Sequence, residues 1–85
     1  MSPTIFREKG YRFFFFSREE PRIHVHAVCA DGEAKYWLEP EVELSKNFNL
    51  SPAQLKEIEQ LIGKHYGEIR NAWEKHFSGE SDKHF

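Results

Sequence analysis

The sequence predicts an α+β fold: an antiparallel, hairpin-rich sheet of four to five strands packed on one long C-terminal helix, in the chain order ββββ(β)α. Three observations predict it. The first half of the chain holds short β-prone runs interrupted by the turn pairs Lys9-Gly10 and Asp31-Gly32. The second half carries apolar residues at helical spacing behind a helix-start signal at Ser51-Pro52. The length, 85 residues, has room for one core and no second one.

Thr4–Arg7 and Tyr11–Ser17 form the first expected hairpin, with Lys9-Gly10 supplying the positive φ of a tight turn. In its second strand Tyr11, Phe13 and Phe15 point one way, and Arg12, Phe14 and Phe16 the other. Apolar groups on both faces predict a central strand covered at least partly on each side. Residues 17–22, SREEPR, read as a loop from their polarity and Pro21. The next two strands flank Asp31-Gly32, a type I′ hairpin signal. That turn sets Ala30 opposite Glu33, Val28 opposite Lys35, His26 opposite Trp37 and His24 opposite Glu39, all on one face. The other face, with Val25, Ala27, Cys29, Ala34, Tyr36 and Leu38, is assigned to the core. Residues 39–49 alternate at Val42 and Leu44 and predict one more short strand with its glutamates outward.

The helix signal is the clearest. Ser51 is the N-cap, Pro52 occupies the first helical position, Gln54 completes a capping box, and Leu50 is placed to staple onto Leu55. Leu55, Ile58, Ile62, Tyr66, Ile69 and Trp73 then form one stripe, which Phe77 extends. Gly63 and Gly67 fall on the polar side and weaken the helix by roughly 1 kcal/mol each, so it relies on packing. Residues 1–77 are read as a single domain, and residues 78–85 as a flexible polar tail.

Twelve basic and fourteen acidic residues give a formal charge of −2, which lacks the bulk footprint of a nucleic-acid-binding protein. The single cysteine, Cys29, excludes an intrachain disulfide and fits a reducing compartment. The N-terminus has no apolar signal region, and the FFFF run at 13–16 is far too short to span a membrane. A cytoplasmic location without a membrane partner is expected.

Across Pro3 to about Phe77 the chain resembles a family of small bacterial proteins, the domain-of-unknown-function family numbered 4160. The resemblance rests on the opening P-T-I-F, the aromatic G-Y-R-F-F-F strand, the H-V-H pair after a proline, the G-E-A-K-Y-W-L-E-P strand and the terminal A-W-x-K-H-F. Many members set consecutive prolines directly before the histidines, whereas here Arg22 and Ile23 separate Pro21 from His24. The family has no established activity, so the resemblance carries over no catalytic residue. It implies that such a protein is often encoded beside a second small protein, in an arrangement similar to a toxin–antitoxin pair.

His24 and His26 are the leading site candidates. Alternate strand positions put both imidazoles on one face, with roots about 7 Å apart. Two such rings with Glu39 as a third ligand would hold zinc and leave a fourth position for water. The same pair could serve as general acid and base, with Lys35 stabilising a phosphate oxyanion, in an RNA-cleaving reaction. Arg12, Arg18 and Arg22 would add a local path for the backbone. A third reading is a non-catalytic surface of Phe14, Phe16, His24, His26, Lys35 and Trp37, in which a His26–Trp37 cross-strand pair contributes roughly 0.2–1 kcal/mol. The third is favoured, because a lone His-x-His has little spacing specificity and the chain is slightly acidic. The sequence therefore leads to a protein-interaction module without a cofactor, whose partner is a small protein or a second copy. RNA cleavage and zinc binding are the alternatives. Cys29, His65 and His76 are read as packing residues.

Overall fold

The computed structural model describes residues 4–15 and 22–82, with side chains to His76. Five strands, β1 (Thr4–Glu8), β2 (Tyr11–Phe14), β3 (His24–Val28), β4 (Glu33–Trp37) and β5 (Glu43–Phe48), are followed by two helices, α1 (Pro52–Lys64) and α2 (Tyr66–Asp82). The strands form one antiparallel meander in the order β1-β2-β3-β4-β5. Residue 16, the expected strand end at 17, the loop through 21 and the side chain of residue 77 lie outside the described residues.

The first hairpin forms as its turn chemistry dictates. Glu8 faces Tyr11, and Lys9 and Gly10 both take positive φ, 54° and 84°. The second hairpin corrects the sequence reading. Val28, not Ala30, faces Glu33; His26 faces Lys35 and His24 faces Trp37. The ladder has slid by two residues, leaving a four-residue loop, Cys29–Gly32, closed by the Cys29 amide donating to the Gly32 carbonyl at 2.9 Å. The cause is long-range. A Cβ on Gly32 would stand 2.0 Å from the Phe48 carbonyl oxygen, so this glycine serves a close backbone approach rather than a positive φ. Asp31 accepts from Asn49 Nδ2 through its carbonyl and from Gln54 Nε2 through its carboxylate. Because the slip is even, each side chain keeps its predicted face.

The predicted single helix is two helices. Its start is as expected: Ser51 accepts from the Gln54 amide, Gln54 returns the bond to the Ser51 amide, and Pro52 follows the cap. The break falls at His65, with φ −106° and ψ 18°, between the exposed glycines 63 and 67. Glycine weakens the helix on both sides. The His65 ring is held by carboxylates of β1 and α2, as described below.

Tyr11, Phe13, Phe15, Val25, Ala27, Tyr36 and Leu38 pack against Ile58, Leu61, Ile62 and Ile69. Burial of each large apolar side chain contributes about 1.5–3 kcal/mol. Two phenols tie α1 to the sheet: Tyr11 donates to Glu57 at 2.8 Å and Tyr36 to Glu59 at 2.9 Å. Burial, then the acceptor carboxylate, pushes the Tyr11 pKa up to about 12. Tyr66 of α2 donates to the Leu38 carbonyl at 3.0 Å. Cys29 is half-buried beside this core. Among the described residues no helix is long and apolar enough to cross a membrane.

Candidate functional site

The face opposite α1 is built by strand alternation. One row across it runs Arg7, Arg12, Val28, Glu33, Phe48, and the next runs Phe14, His26, Lys35, Lys46. His24 and Trp37 continue it toward the end where β2 stops and β3 begins.

The structure brings His24, His26, Lys35, Trp37 and Phe14 together, as a packed cluster. The two imidazoles meet edge to face with ring centroids 5.2 Å apart. His24 also packs edge to face on Trp37 and on Trp73 of α2, while His26 stacks on Phe14 at 5.3 Å. Such ring pairs contribute about 0.5–1.5 kcal/mol beyond area burial. His24 Nδ1 lies 2.7 Å from the Arg22 carbonyl. A carbonyl only accepts, so Nδ1 carries the proton and the ring is fixed in orientation. His26 Nδ1 lies 3.6 Å from a Glu33 carboxylate oxygen. Cations cover the aromatic rings: Arg12 lies 4.6 Å from the Phe14 centroid, and Arg22 and Lys35 lie 4.3 and 4.4 Å from that of Trp37.

The cluster is closed. His24 is 0% exposed, His26 6%, Lys35 8% and Phe14 5%. Phe14, expected on an interaction surface, is buried instead, with His26 and Arg12 against its ring. Trp37 is half-buried. Acid–base chemistry needs a group within hydrogen-bond reach of the substrate, and neither imidazole faces solvent. Glu39 does not join them: Trp37 occupies the position expected for it opposite His24, and its carboxylate is ion-paired with Arg70 of α2. Among the described residues no three His, Cys, Asp or Glu side chains gather as a group for a metal ion.

A second polar cluster sits at the helix break. His65 Nε2 lies 2.7 Å from Glu8 of β1, its Nδ1 lies 2.8 Å from Glu68, and Lys64 meets Glu8 at 2.8 Å. Phe6 stacks on the imidazole at 4.0 Å. Hydrogen bonds from Glu8 and then Glu68 raise the His65 pKa, and those from Lys64 and His65 lower that of Glu8.

The apolar residues that sequence reasoning did not single out as a site lie on β5 and just before it. Val42, Leu44 and Phe48 are 37%, 39% and 61% exposed. Leu44 alternates inward as expected, because the bulge between Lys35 and Tyr36 sets it opposite the core residue Tyr36, but at the sheet edge it stays exposed. The signal available was Phe48 itself, a large apolar residue between Asn47 and Asn49 just ahead of the helix cap.

These features define a small α+β domain, a five-stranded meander with two helices on one face and a sealed aromatic–histidine cluster on the other. The chain belongs to the family described as Domain of unknown function (DUF4160), whose model matches residues 10–74. No curated protein and no solved structure matches it.

Proposed function

We propose that the protein is a non-catalytic interaction module that docks a partner protein at strand β5, as one half of a pair of small proteins of the toxin–antitoxin kind. One observation carries this reading: β5 is an edge strand of the meander, and Val42, Leu44 and Phe48 stand exposed on or beside it. Edge strands offer backbone donors and acceptors to an added strand, and natural proteins commonly blunt them with charge and bulges. Here the blunting is incomplete, because three apolar side chains accompany Glu43 and Lys46. The burial of His24 and Lys35 supports packing rather than RNA cleavage as the role of that cluster.

The test is co-expression with the product of the adjacent gene, followed by co-purification. The double substitution Leu44→Glu/Phe48→Glu is expected to weaken the complex by tenfold or more, the loss of about 1.4 kcal/mol or more, with folding preserved. A complex of undiminished affinity in that variant contradicts docking at β5.

A further inference from the structure

We infer that the partner docked at β5 supplies one antiparallel strand whose side chains run, from its N-terminal end, apolar, any, acidic, apolar, basic; the inference rests on the interaction reading above. The bulge between Lys35 and Tyr36 carries it. In a regular strand Glu43 and Lys46, three residues apart, would project to opposite faces. Here Glu43 stands opposite Trp37, Lys46 opposite Lys35 and Phe48 opposite Glu33, so all three share the face turned away from the helices. Leu44 stands opposite Tyr36 and Asn47 opposite Ala34, on the helix side.

β4 shows how a strand steps along β5. Its five residues Glu33–Trp37 span the six of Glu43–Phe48, because Ser45 is passed over. A strand added on the open edge with the same step meets Phe48, Asn47, Lys46, Leu44 and Glu43 in turn. All five are exposed. The antiparallel direction follows the sheet, in which every pairing is antiparallel, and such pairs are slightly the more stable per residue.

Backbone hydrogen bonds give an added strand its affinity, and the side chains give its specificity. Opposite charges set directly across a sheet are favourable and like charges are not. Lys46 therefore selects an acidic residue and Glu43 a basic one. Among the described residues neither makes an ion pair, whereas Glu8 and Glu39 are each held by a cation. Phe48 and Leu44, 61% and 39% exposed, select apolar residues on the two faces. Asn47 makes no demand, since its side chain bonds the Leu50 amide and carbonyl. The bulge that guards the edge against unselected strands thus also decides which strand fits. A second copy of β5 fits poorly. Paired antiparallel with bulge against bulge, it sets Lys46 against Lys46 and Phe48 against Glu43.

The experiment is fluorescence anisotropy of the full chain with two fluorescein-labelled peptides of one composition, Thr-Val-Thr-Glu-Val-Lys-Thr and its charge-exchanged form Thr-Val-Thr-Lys-Val-Glu-Thr. The first is expected to bind about fivefold or more tightly than the second. Lys46→Glu alone should abolish the preference, and Glu43→Lys/Lys46→Glu, which leaves the net charge unchanged, should reverse it. Lys56→Glu on α1 should leave it unaltered. Equal affinity for the two peptides, a preference that survives Glu43→Lys/Lys46→Glu, or no saturable binding of either peptide would each overturn the inference. So would self-association of the free chain that this double variant abolishes, because the occupant would then be a second copy. Peptides that bind alike, beside a co-expressed complex lost in Leu44→Glu/Phe48→Glu, remove the charge order alone. A complex untouched by Leu44→Glu/Phe48→Glu removes docking at β5 itself.

Discussion

Trp73 of α2 and His24 of β3 meet edge to face with ring centroids 5.2 Å apart, although His24 belongs to the sheet face turned away from the core. The same indole packs edge to face on Phe15, a core residue, at 5.1 Å. Trp73 thus joins the two sides of the sheet where β2 has ended at Phe14 and β3 begins at His24. The imidazole that looked most like a reactive group is a packing residue between two indoles.

His24→Ala is accordingly expected to destabilise the fold by about 2–4 kcal/mol, the range for truncating a large buried side chain. Urea unfolding followed by tryptophan fluorescence measures it. A loss below about 0.5 kcal/mol, the usual size of a surface effect, would show that the ring does not hold the cluster together.

Gly32→Ala is expected to cost more than about 2 kcal/mol, because the new Cβ falls 2.0 Å from the Phe48 carbonyl oxygen and backbone must move. Gly63→Ala, where a Cβ meets nothing within 4 Å on an exposed helical site, should instead stabilise by about 0.5–1 kcal/mol. Thermal melts of the two variants should therefore shift in opposite directions, and a shared direction contradicts this placement of the loop.

The clamp at the helix break makes stability depend on pH in two opposite ways. His65 has a pKa raised above its ordinary 6.5, so its contribution is complete below that value and is lost as pH rises through the raised one. Glu8 has a pKa lowered below its ordinary 4.5, so its contribution is present above that value and is lost as pH falls through the lowered one. The clamp is fully engaged between the two ordinary values. The urea midpoint should fall on both sides of that window, and His65→Gln should flatten the alkaline side. An unchanged alkaline slope in His65→Gln would assign the dependence to other groups.

Much of the fold was legible because its signals are local. The capping box of Ser51 and Gln54 spans four residues, and the Lys9-Gly10 turn needs only its own φ angles. Face assignment along β3 and β4 was equally legible, since alternation survives an even slip of the ladder. Register was not, because Asp31 and Gly32 answer to Asn49, Gln54 and Phe48 rather than to each other. The break at His65 was hidden for the same reason, its ring partner Glu8 lying 57 residues earlier. The candidate site suffered most: that Lys35 faces Lys46, that Glu39 turns to Arg70, and that Trp73 covers His24 all depend on tertiary placement.

Amide hydrogen exchange on the complex with the adjacent gene product tests the location of docking most directly. Slowed exchange should appear in Glu43–Phe48 when the partner is added, with His24–Val28, already inside the sheet, unchanged. An unaltered β5 together with new protection in His24–Val28 would contradict docking at the edge strand and return the function to the histidine pair.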